Sequence, residues 1–236
     1  MAIRYRTEGF VLKKENKSEA DQLITFYTSD FGKIKILGRA IRKIKSKLRC
    51  GIELFSFSRI EFIRGKSYNT LTDAVKVKEL QFSQKPEKIS AFFKISELLD
   101  TLIKGQEKDR EIWKLLNKTV EKIDSLGFIS LDCDLFYYYF FWNLVSTLGY
   151  GIDLYRCSFC QEELAPGRIY FSVSKGLICS SCFQRDKKSK KISSEAVKII
   201  RLFRKNDWET LKKIRIKDCY IKELEAISKS YLESLI

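Results

Sequence analysis

The chain has 236 residues, a formal net charge of +15 and no histidine. That length is enough for two domains with hydrophobic cores, and the missing histidine excludes histidine-based triads, histidine general bases and mixed cysteine–histidine metal sites. The 45 lysine and arginine residues outnumber the 30 acidic residues. This excess of positive charge favours a polyanionic partner, either nucleic acid or an anionic membrane surface.

The N-terminal third of the sequence predicts short β-strands. The candidate strands are residues 7–14, 22–29, 33–37, 54–63 and 69–77. In the third strand Ile34 and Ile36 alternate with Lys33 and Lys35, which is the period of a strand with one buried face and one cationic face. Five strands within residues 1–80 favour a small β-barrel, of which the oligonucleotide-binding (OB) fold is one.

A strongly basic segment covers the third strand and the residues after it. Residues 33–49, called the basic segment below, contain eight basic residues and no acidic residue. Such a density of like charge is tolerated best when a polyanion neutralises it, so we predict that the segment follows a phosphate backbone; a solvated charged face is the alternative. The predicted nucleic-acid-binding residues are Lys33, Lys35, Arg39, Arg42, Lys43, Lys45, Lys47 and Arg49, with Arg64 and Lys66 from the turn between the last two strands.

Apolar and aromatic residues in the same region either belong to the hydrophobic core or contact a ligand. Ile41, Ile44 and Leu48 alternate with the charges and are expected to anchor the basic segment to the core. Exposed aromatic side chains stack on single-stranded bases, although most aromatic residues of a small barrel belong to its core. The candidates for stacking are Tyr5, Tyr27, Phe31 and Tyr68.

From Pro86 onward the apolar residues repeat with a helical period, and proline is favoured at the first position of a helix. Gly149 is a candidate C-terminal stop, and Ser193 or Ser194 a candidate N-cap. The predicted helices are residues 86–103, 112–123 and 131–148, followed after residue 193 by further helical stretches that extend to residue 231.

Residues 135–152 carry no charge and include seven consecutive aromatic residues. The run also contains Asn143, Ser146 and Thr147, and acidic residues flank it, whereas basic residues are expected on the cytoplasmic side of a membrane span. We therefore predict a buried core helix and no membrane contact. Because no secretory signal is visible in the sequence, we expect a cytoplasmic protein with reduced cysteines.

Four of the seven cysteines form the strongest local motif. Cys157-x2-Cys160 and Cys179-x2-Cys182 are two pairs separated by 18 residues, a spacing typical of zinc sites. Two such pairs brought together form a closed tetrahedral sulfur site, which leaves no position for a substrate water. We predict one structural Zn²⁺ per chain in a zinc ribbon whose strand is residues 168–173. Buried or redox-active cysteines and an iron–sulfur cluster are the alternatives.

The sequence therefore predicts an α+β protein with an N-terminal five-stranded OB-fold β-barrel. An all-α helical domain carrying a four-cysteine zinc ribbon follows it. The predicted division is 1–80 for the barrel, 81–153 for the first helical part, 154–184 for the zinc-binding segment and 185–236 for the basic C-terminal helical part. Residues 184–217 carry 13 basic and 4 acidic residues, which either touch phosphate or form a solvated helix face.

Signals for an enzyme are poor. Residues 64–67 end like a phosphate-binding loop, but Ile60 stands where the first glycine is required. Asp132 and Asp134 raise the alternative of a metal-dependent nuclease, although no further carboxylates cluster around them and they read better as acidic residues near a helix start. We predict a binding protein without catalytic residues.

The order and spacing of several short motifs resemble the bacterial RecO family of recombination mediators, which are DNA repair proteins. The similarity extends over nearly the whole chain. Its motifs are TEGFVL at 7–12, SEAD at 18–21, ITFYT at 24–28, GRAIRK at 38–43, KSKLR at 45–49, LTDA at 71–74, LGY at 148–150 and LYRC at 154–157.

This resemblance implies a function. Proteins of the family bind single- and double-stranded DNA, anneal complementary strands and are not enzymes. They act with RecR, and in many bacteria also with RecF. They help load the RecA recombinase onto DNA covered by single-stranded-DNA-binding protein, and they can contact the acidic C-terminal tail of that protein.

Carried over to this sequence, the resemblance assigns zinc to the four cysteines and DNA to the basic segment. The alternative is a zinc-ribbon and OB-fold protein associated with RNA or transcription, without annealing activity. A pure assembly protein, whose charge only aids solubility, is a further alternative.

Overall fold

The computed structural model describes residues 3–78, 86–125, 133–214 and 216–236. The chain forms two compact units, Met1–Gly127 and Phe128–Ile236. Within the described residues, the first unit contains five β-strands and two α-helices, and the second contains a small sheet and four α-helices. Strands followed by helices make this the α+β protein that the sequence predicts.

The strands of the first unit close into a barrel in the order β1-β2-β3-β5-β4. Neighbouring strands pair antiparallel except β3 and β5, which are parallel. The five predicted strands are thereby confirmed, and the closed five-stranded barrel is the predicted architecture. The bounds are β1 Arg4–Asn16, β2 Gln22–Thr28, β3 Gly32–Gly38, β4 Phe57–Ile63 and β5 Asn69–Lys78.

Side-chain alternation fills the barrel. Ile34 and Ile36 of β3 point inward and are at most 2% exposed, while Lys35 between them is exposed, as the period of two predicts. Each of the other strands contributes apolar residues to the same core. Its members are Val11, Ile24, Phe26, Ile34, Ile36, Ile41, Ile52, Ile60, Phe62, Leu71 and Ala74.

A 3₁₀ helix at Lys47–Ile52 joins the basic segment to β4 and lies directly against β5. A Cβ atom at residue 51 would stand 2.1 Å from the carbonyl oxygen of Ala74. Only a residue without a side chain permits this approach of two backbones. Gly51 thus fixes where the basic segment returns to the barrel.

Gly51→Ala is expected to destabilise the first unit by about 1–3 kcal/mol, because the added methyl group forces the 3₁₀ helix away from β5. Urea unfolding followed by circular dichroism measures the change. Gly105→Ala is the matched control, since its nearest heavy atom would lie 3.8 Å away. Equal stability of the two variants would contradict the role given to Gly51.

Two helices lie against the barrel in the first unit, α1 (Pro86–Leu102) and α2 (Arg110–Ser125). Helix α1 begins at Pro86, as predicted. The ring of Trp113 lies 6.3 Å from that of Tyr27, centroid to centroid, and Tyr27 is completely buried. The expectation that Tyr27 could stack on bases is therefore wrong, because a helix distant in sequence covers it.

The second unit is built around helix α3 (Asp134–Thr147), most of whose aromatic residues are buried. Phe136 stacks on Trp208 at 4.8 Å and Trp142 stacks on Tyr231 at 5.7 Å, so α3 is a core helix as predicted. Residues 131 and 132, which the sequence assigns to this helix, lie outside the described residues. Across the described ranges, no helix combines the length and the apolar character needed for a membrane span.

The other described elements of the second unit follow α3 in the sequence. Ser193 caps α4, its Oγ accepting a hydrogen bond from the Ala196 N–H at 3.1 Å, and Gly149 follows the end of α3 with a φ of +88°. Both positions agree with the sequence prediction. The bounds are β6 Ile169–Ser172, β7 Gly176–Cys179, β8 Lys190–Ile192, α4 Ser194–Lys205, α5 Trp208–Lys213 and α6 Asp218–Leu235.

The small sheet has the order β7-β6-β8. Strand β6 was predicted, whereas β7 and β8 were not. Lys190 and Lys191 belong to β8 and pair with Phe171 and Tyr170 respectively. Their side chains remain exposed, so pairing with a distant strand decides the backbone conformation of a segment whose local composition predicts a loop.

Candidate metal centre and nucleic-acid interface

The two cysteine pairs meet in the second unit. The sulfur atoms of Cys157, Cys160, Cys179 and Cys182 all lie within 4.8 Å of one another, and Cys160 Sγ is 3.8 Å from Cys179 Sγ. A tetrahedral site with Zn–S bonds of ~2.3 Å requires sulfur–sulfur distances of about 3.8 Å. The four side chains can therefore hold a metal ion.

Backbone hydrogen bonds shape the first cysteine pair. Gln161 N–H donates to the Cys157 carbonyl at 2.9 Å and closes a tight turn, in which Gln161 has a φ of +63°. The N–H of Cys179 donates to Cys157 Sγ at 3.4 Å. Strand β7 ends at Cys179, so the sheet positions the second cysteine pair beside the first.

The pKa values of these thiols indicate that a bound metal cation would stabilise their deprotonated form. Burial raises the pKa of the Cys157 thiol, but backbone N–H groups of Cys160, Cys179 and Phe159 outweigh it and bring the pKa down to about 6. Burial and the neighbouring thiols raise the pKa of Cys182 to about 12. Four thiols this close together therefore do not all ionise by themselves, whereas a divalent metal ion stabilises four thiolates and releases their protons.

The four-cysteine cluster and the helical core of the second unit are connected. Both Nε and Nη2 of Arg201 in α4 donate to the carbonyl of Leu154, at 2.9 and 2.6 Å, just before the first cysteine pair. Phe171 of β6 packs edge-on against Trp142 of α3 and Tyr231 of α6. Contacts thus link the segments next to the cysteine pairs to the core of this unit.

In the first unit, the loop of residues 39–46 lies against the β1–β2 loop, residues 17–21. The Asp21 carboxylate accepts a hydrogen bond from the Ala40 N–H at 2.7 Å. Arg42 donates its N–H to the Ala20 carbonyl at 3.0 Å and its Nη1 to the Ser18 carbonyl at 3.2 Å. These bonds fasten the middle of the basic segment to the barrel.

The β4–β5 loop, residues 64–68, approaches the same β1–β2 loop. Lys17 Nζ is 3.5 Å from the Tyr68 hydroxyl and 5.3 Å from the centre of its ring, and Tyr68 is 37% exposed. Arg64 lies 4.6 Å from the centre of the Tyr5 ring. Sequence reasoning missed Lys17. Only its position beside Tyr68 in the folded structure connects it to the candidate nucleic-acid interface.

Nine of the ten predicted DNA-binding residues have exposed side chains. The exception is Lys33, whose side chain is 12% exposed. Its ammonium group lies 3.0 Å from Asp100 Oδ1 and donates to the Asp100 carbonyl at 2.7 Å, so it joins β3 to α1. The nine exposed residues are Lys35, Arg39, Arg42, Lys43, Lys45, Lys47, Arg49, Arg64 and Lys66.

The apolar residues of the basic segment behave differently from one another. Ile41 is 1% exposed and Leu48 packs against the barrel core, as expected of anchors. Ile44 is 92% exposed, which contradicts its expected role as an anchor. Residues 43–46 form a turn, closed by the Ser46 N–H donating to the Lys43 carbonyl at 3.0 Å, and this turn carries Ile44 away from the core.

The basic residues within 184–217 differ in how exposed they are. Four of them have exposed side chains, namely Arg204, Lys205, Lys212 and Lys213, whereas Arg201 donates hydrogen bonds to the Leu154 carbonyl.

The nuclease alternative rests on Asp132 and Asp134. Asp134 is the first residue of α3, and Asp132 lies outside the described residues.

Comparison with known proteins identifies the family. Residues 1–79 match the family profile described as "Recombination protein O N terminal", and residues 83–236 match "Recombination protein O C terminal". The chain is 29% identical to a protein of Dehalococcoides mccartyi named DNA repair protein RecO, over 94% of this chain and 86% of the relative. A protein of the same name from Roseiflexus sp. is 26% identical over 98% of this chain and 81% of the relative. The chain therefore belongs to the RecO family of DNA repair proteins.

Proposed function

We propose that this protein is a DNA-binding recombination mediator, which binds single- and double-stranded DNA and anneals complementary strands. The observation that carries the proposal is the set of nine exposed cations on the basic segment and the β4–β5 loop of a closed five-stranded barrel. In OB folds, the face of strands β2 and β3 and the loops β1–β2 and β4–β5 bind oligonucleotides. Lysine and arginine side chains there neutralise phosphates and release counterions, so binding weakens steeply as salt rises.

Annealing follows from the same charges. Two complementary strands repel each other through their phosphates, and a cationic surface that holds both lowers this repulsion. No covalent bond is made or broken, so the activity needs no catalytic residue and no nucleotide. We accordingly infer that the protein is not an enzyme.

Family membership suggests the partners. We infer that the protein acts with RecR, and in some settings with RecF, and that it contacts the acidic C-terminal tail of single-stranded-DNA-binding protein. Together with RecR it would help load RecA onto DNA covered by that protein. Because this role requires access to chromosomal DNA, we infer that the protein acts in the cytoplasm, in association with the nucleoid.

The four cysteines would hold one structural Zn²⁺ per chain. Four sulfur ligands with paired spacing suit zinc, and a closed sulfur shell has no open position for chemistry. The division into a barrel at 1–80, helical parts at 81–153 and 185–236 and a zinc-binding segment at 154–184 stays a prediction.

Annealing of two complementary oligonucleotides coated with single-stranded-DNA-binding protein tests the proposal. The protein is expected to accelerate pairing by at least about tenfold without added nucleotide, and rising salt should suppress this acceleration. Fluorescence energy transfer between end-labelled strands measures the rate. Unchanged annealing by folded, metal-loaded protein, alone and with RecR, would contradict the proposal.

The main alternative is an RNA- or transcription-associated protein without annealing activity. A competition experiment separates the two, with labelled single-stranded DNA displaced by unlabelled DNA or by a structured RNA of the same length. Stronger displacement by the RNA would favour the alternative.

A further inference from the structure

Ile44 is the most exposed large apolar side chain described in the molecule, at 92%, and it stands in the middle of the basic segment. The next two, Ile236 and Ile3, lie at or near the chain ends. A single exposed apolar residue needs no explanation by itself. Ile44 is different because of how its loop is held and what surrounds it.

The loop that carries Ile44 is fastened on both sides. Ile41 before it is buried, and Leu48 after it packs against the barrel core. The N–H of Lys43 donates to the Ala40 carbonyl at 3.1 Å, and the turn closed by Ser46 N–H follows. Ile44 is therefore presented by a hydrogen-bonded turn between two anchors.

The local sequence does not favour this arrangement. Central positions of turns prefer proline, glycine and small polar residues, and a β-branched apolar residue at such a corner gains nothing from the turn itself. Departures of this kind from local preference concentrate at functional sites. The exposure of Ile44 thus calls for a partner that covers it.

The charges around Ile44 define that partner. Arg42, Lys43, Lys45 and Lys47 are all exposed, and residues 33–49 contain no acidic residue. The partner must offer an apolar surface bordered by negative charge. Nucleic acid does so, since flat base faces lie beside phosphates, and apolar side chains including isoleucine are known to insert between base steps in protein–DNA complexes.

We propose that Ile44 is a wedge that inserts between two adjacent bases of the bound DNA strand while the flanking cations hold its phosphates. This inference rests on the proposed function and deepens it. Unstacking of neighbouring bases leaves their pairing edges open to a second strand. The cations supply most of the affinity, and Ile44 changes the conformation of the DNA.

A fluorescent base reports the unstacking directly. The probe is a single-stranded 20-mer with 2-aminopurine between adenines, because this base brightens when it is unstacked. The wild-type protein is expected to raise its fluorescence on binding. Ile44→Ala should remove most of this rise, lower the affinity only about five- to tenfold, and leave the salt dependence unchanged because no cation is lost.

Two further variants control the experiment. Val75→Ala removes a β-branched side chain that is 57% exposed on β5, outside the basic segment, and should behave as wild type. Ile44→Leu keeps an apolar side chain of the same volume and should retain the fluorescence rise. Circular dichroism of each variant verifies that the barrel is folded.

The outcomes are distinct. DNA binding with the same fluorescence rise in wild type and Ile44→Ala overturns the wedge and leaves the proposed function standing. Absence of DNA binding by the wild type overturns both. Binding to vesicles of phosphatidylglycerol and phosphatidylcholine that requires Ile44, with a fluorescence rise that does not, would assign this side chain to a lipid surface instead.

Discussion

Cys157→Ser is expected to abolish stoichiometric metal binding and to destabilise the second unit by at least about 3 kcal/mol. Structural zinc contributes about 10–16 kcal/mol of binding free energy in zinc-finger peptides, and a shell with three thiolates loses a large share of it. Cys157 is completely buried and accepts the hydrogen bond from Cys179 N–H, and serine replaces its thiolate with a neutral hydroxyl, which is a much weaker ligand for zinc. Removal of the metal by a chelator should reproduce the effect.

Metal content and unfolding are measured together. Elemental analysis counts zinc per chain, and thermal unfolding is followed by tryptophan fluorescence, which includes Trp142 and Trp208 of the second unit. Cys219→Ser, an exposed cysteine on α6, is the matched control and should keep both the metal and the melting temperature. Wild-type protein that contains no metal, and a Cys157→Ser variant of unchanged stability, would contradict the metal site.

The double variant Arg42→Glu/Lys43→Glu is expected to bind DNA at least about tenfold more weakly at low salt. Each lost phosphate contact lowers the slope of log affinity against log salt by ~0.7 for single strands, so the slope should fall by ~1.4. Because phosphate contacts carry no base information, all sequences should be weakened alike. Fluorescence anisotropy over a range of salt concentrations measures both quantities.

A control with the same change of net charge makes the test specific. Lys114→Glu/Lys118→Glu reverses two exposed lysines on α2, outside the basic segment. It should retain nearly all of the affinity and the salt slope. Equal losses in both double variants would mean that net charge alone drives binding, and the interface assigned to the basic segment would be wrong.

Local interactions account for what could be predicted about the fold. The alternation of Ile34 and Ile36 with lysines identified β3, Pro86 marked the start of α1, and Ser193 marked the cap of α4. Each of these signals depends on steric preferences or hydrogen bonds within a few residues. Strands β7 and β8 escaped prediction because they are stabilised mainly by pairing with β6.

For the candidate nucleic-acid interface too, local sequence predicted one part and long-range packing decided the rest. Charge density in the sequence located the basic segment, but it could not separate Lys33 from its neighbours. Asp100, which engages Lys33, lies 67 positions away in the chain, and Trp113, which covers Tyr27, comes from another helix. Contacts at such separations exist only after the helices have packed against the barrel.

The sequence by itself determined the type and order of the barrel strands and of the main helices, the four cysteines of the cluster and the excess of positive charge. These follow from residue spacing and composition, which act locally. Tertiary structure alone decided that the four sulfurs meet within 4.8 Å, that Lys33 is engaged, and that Ile44 stands in solvent. Long-range packing sets these features, because it determines which surfaces are covered and which remain open to a partner.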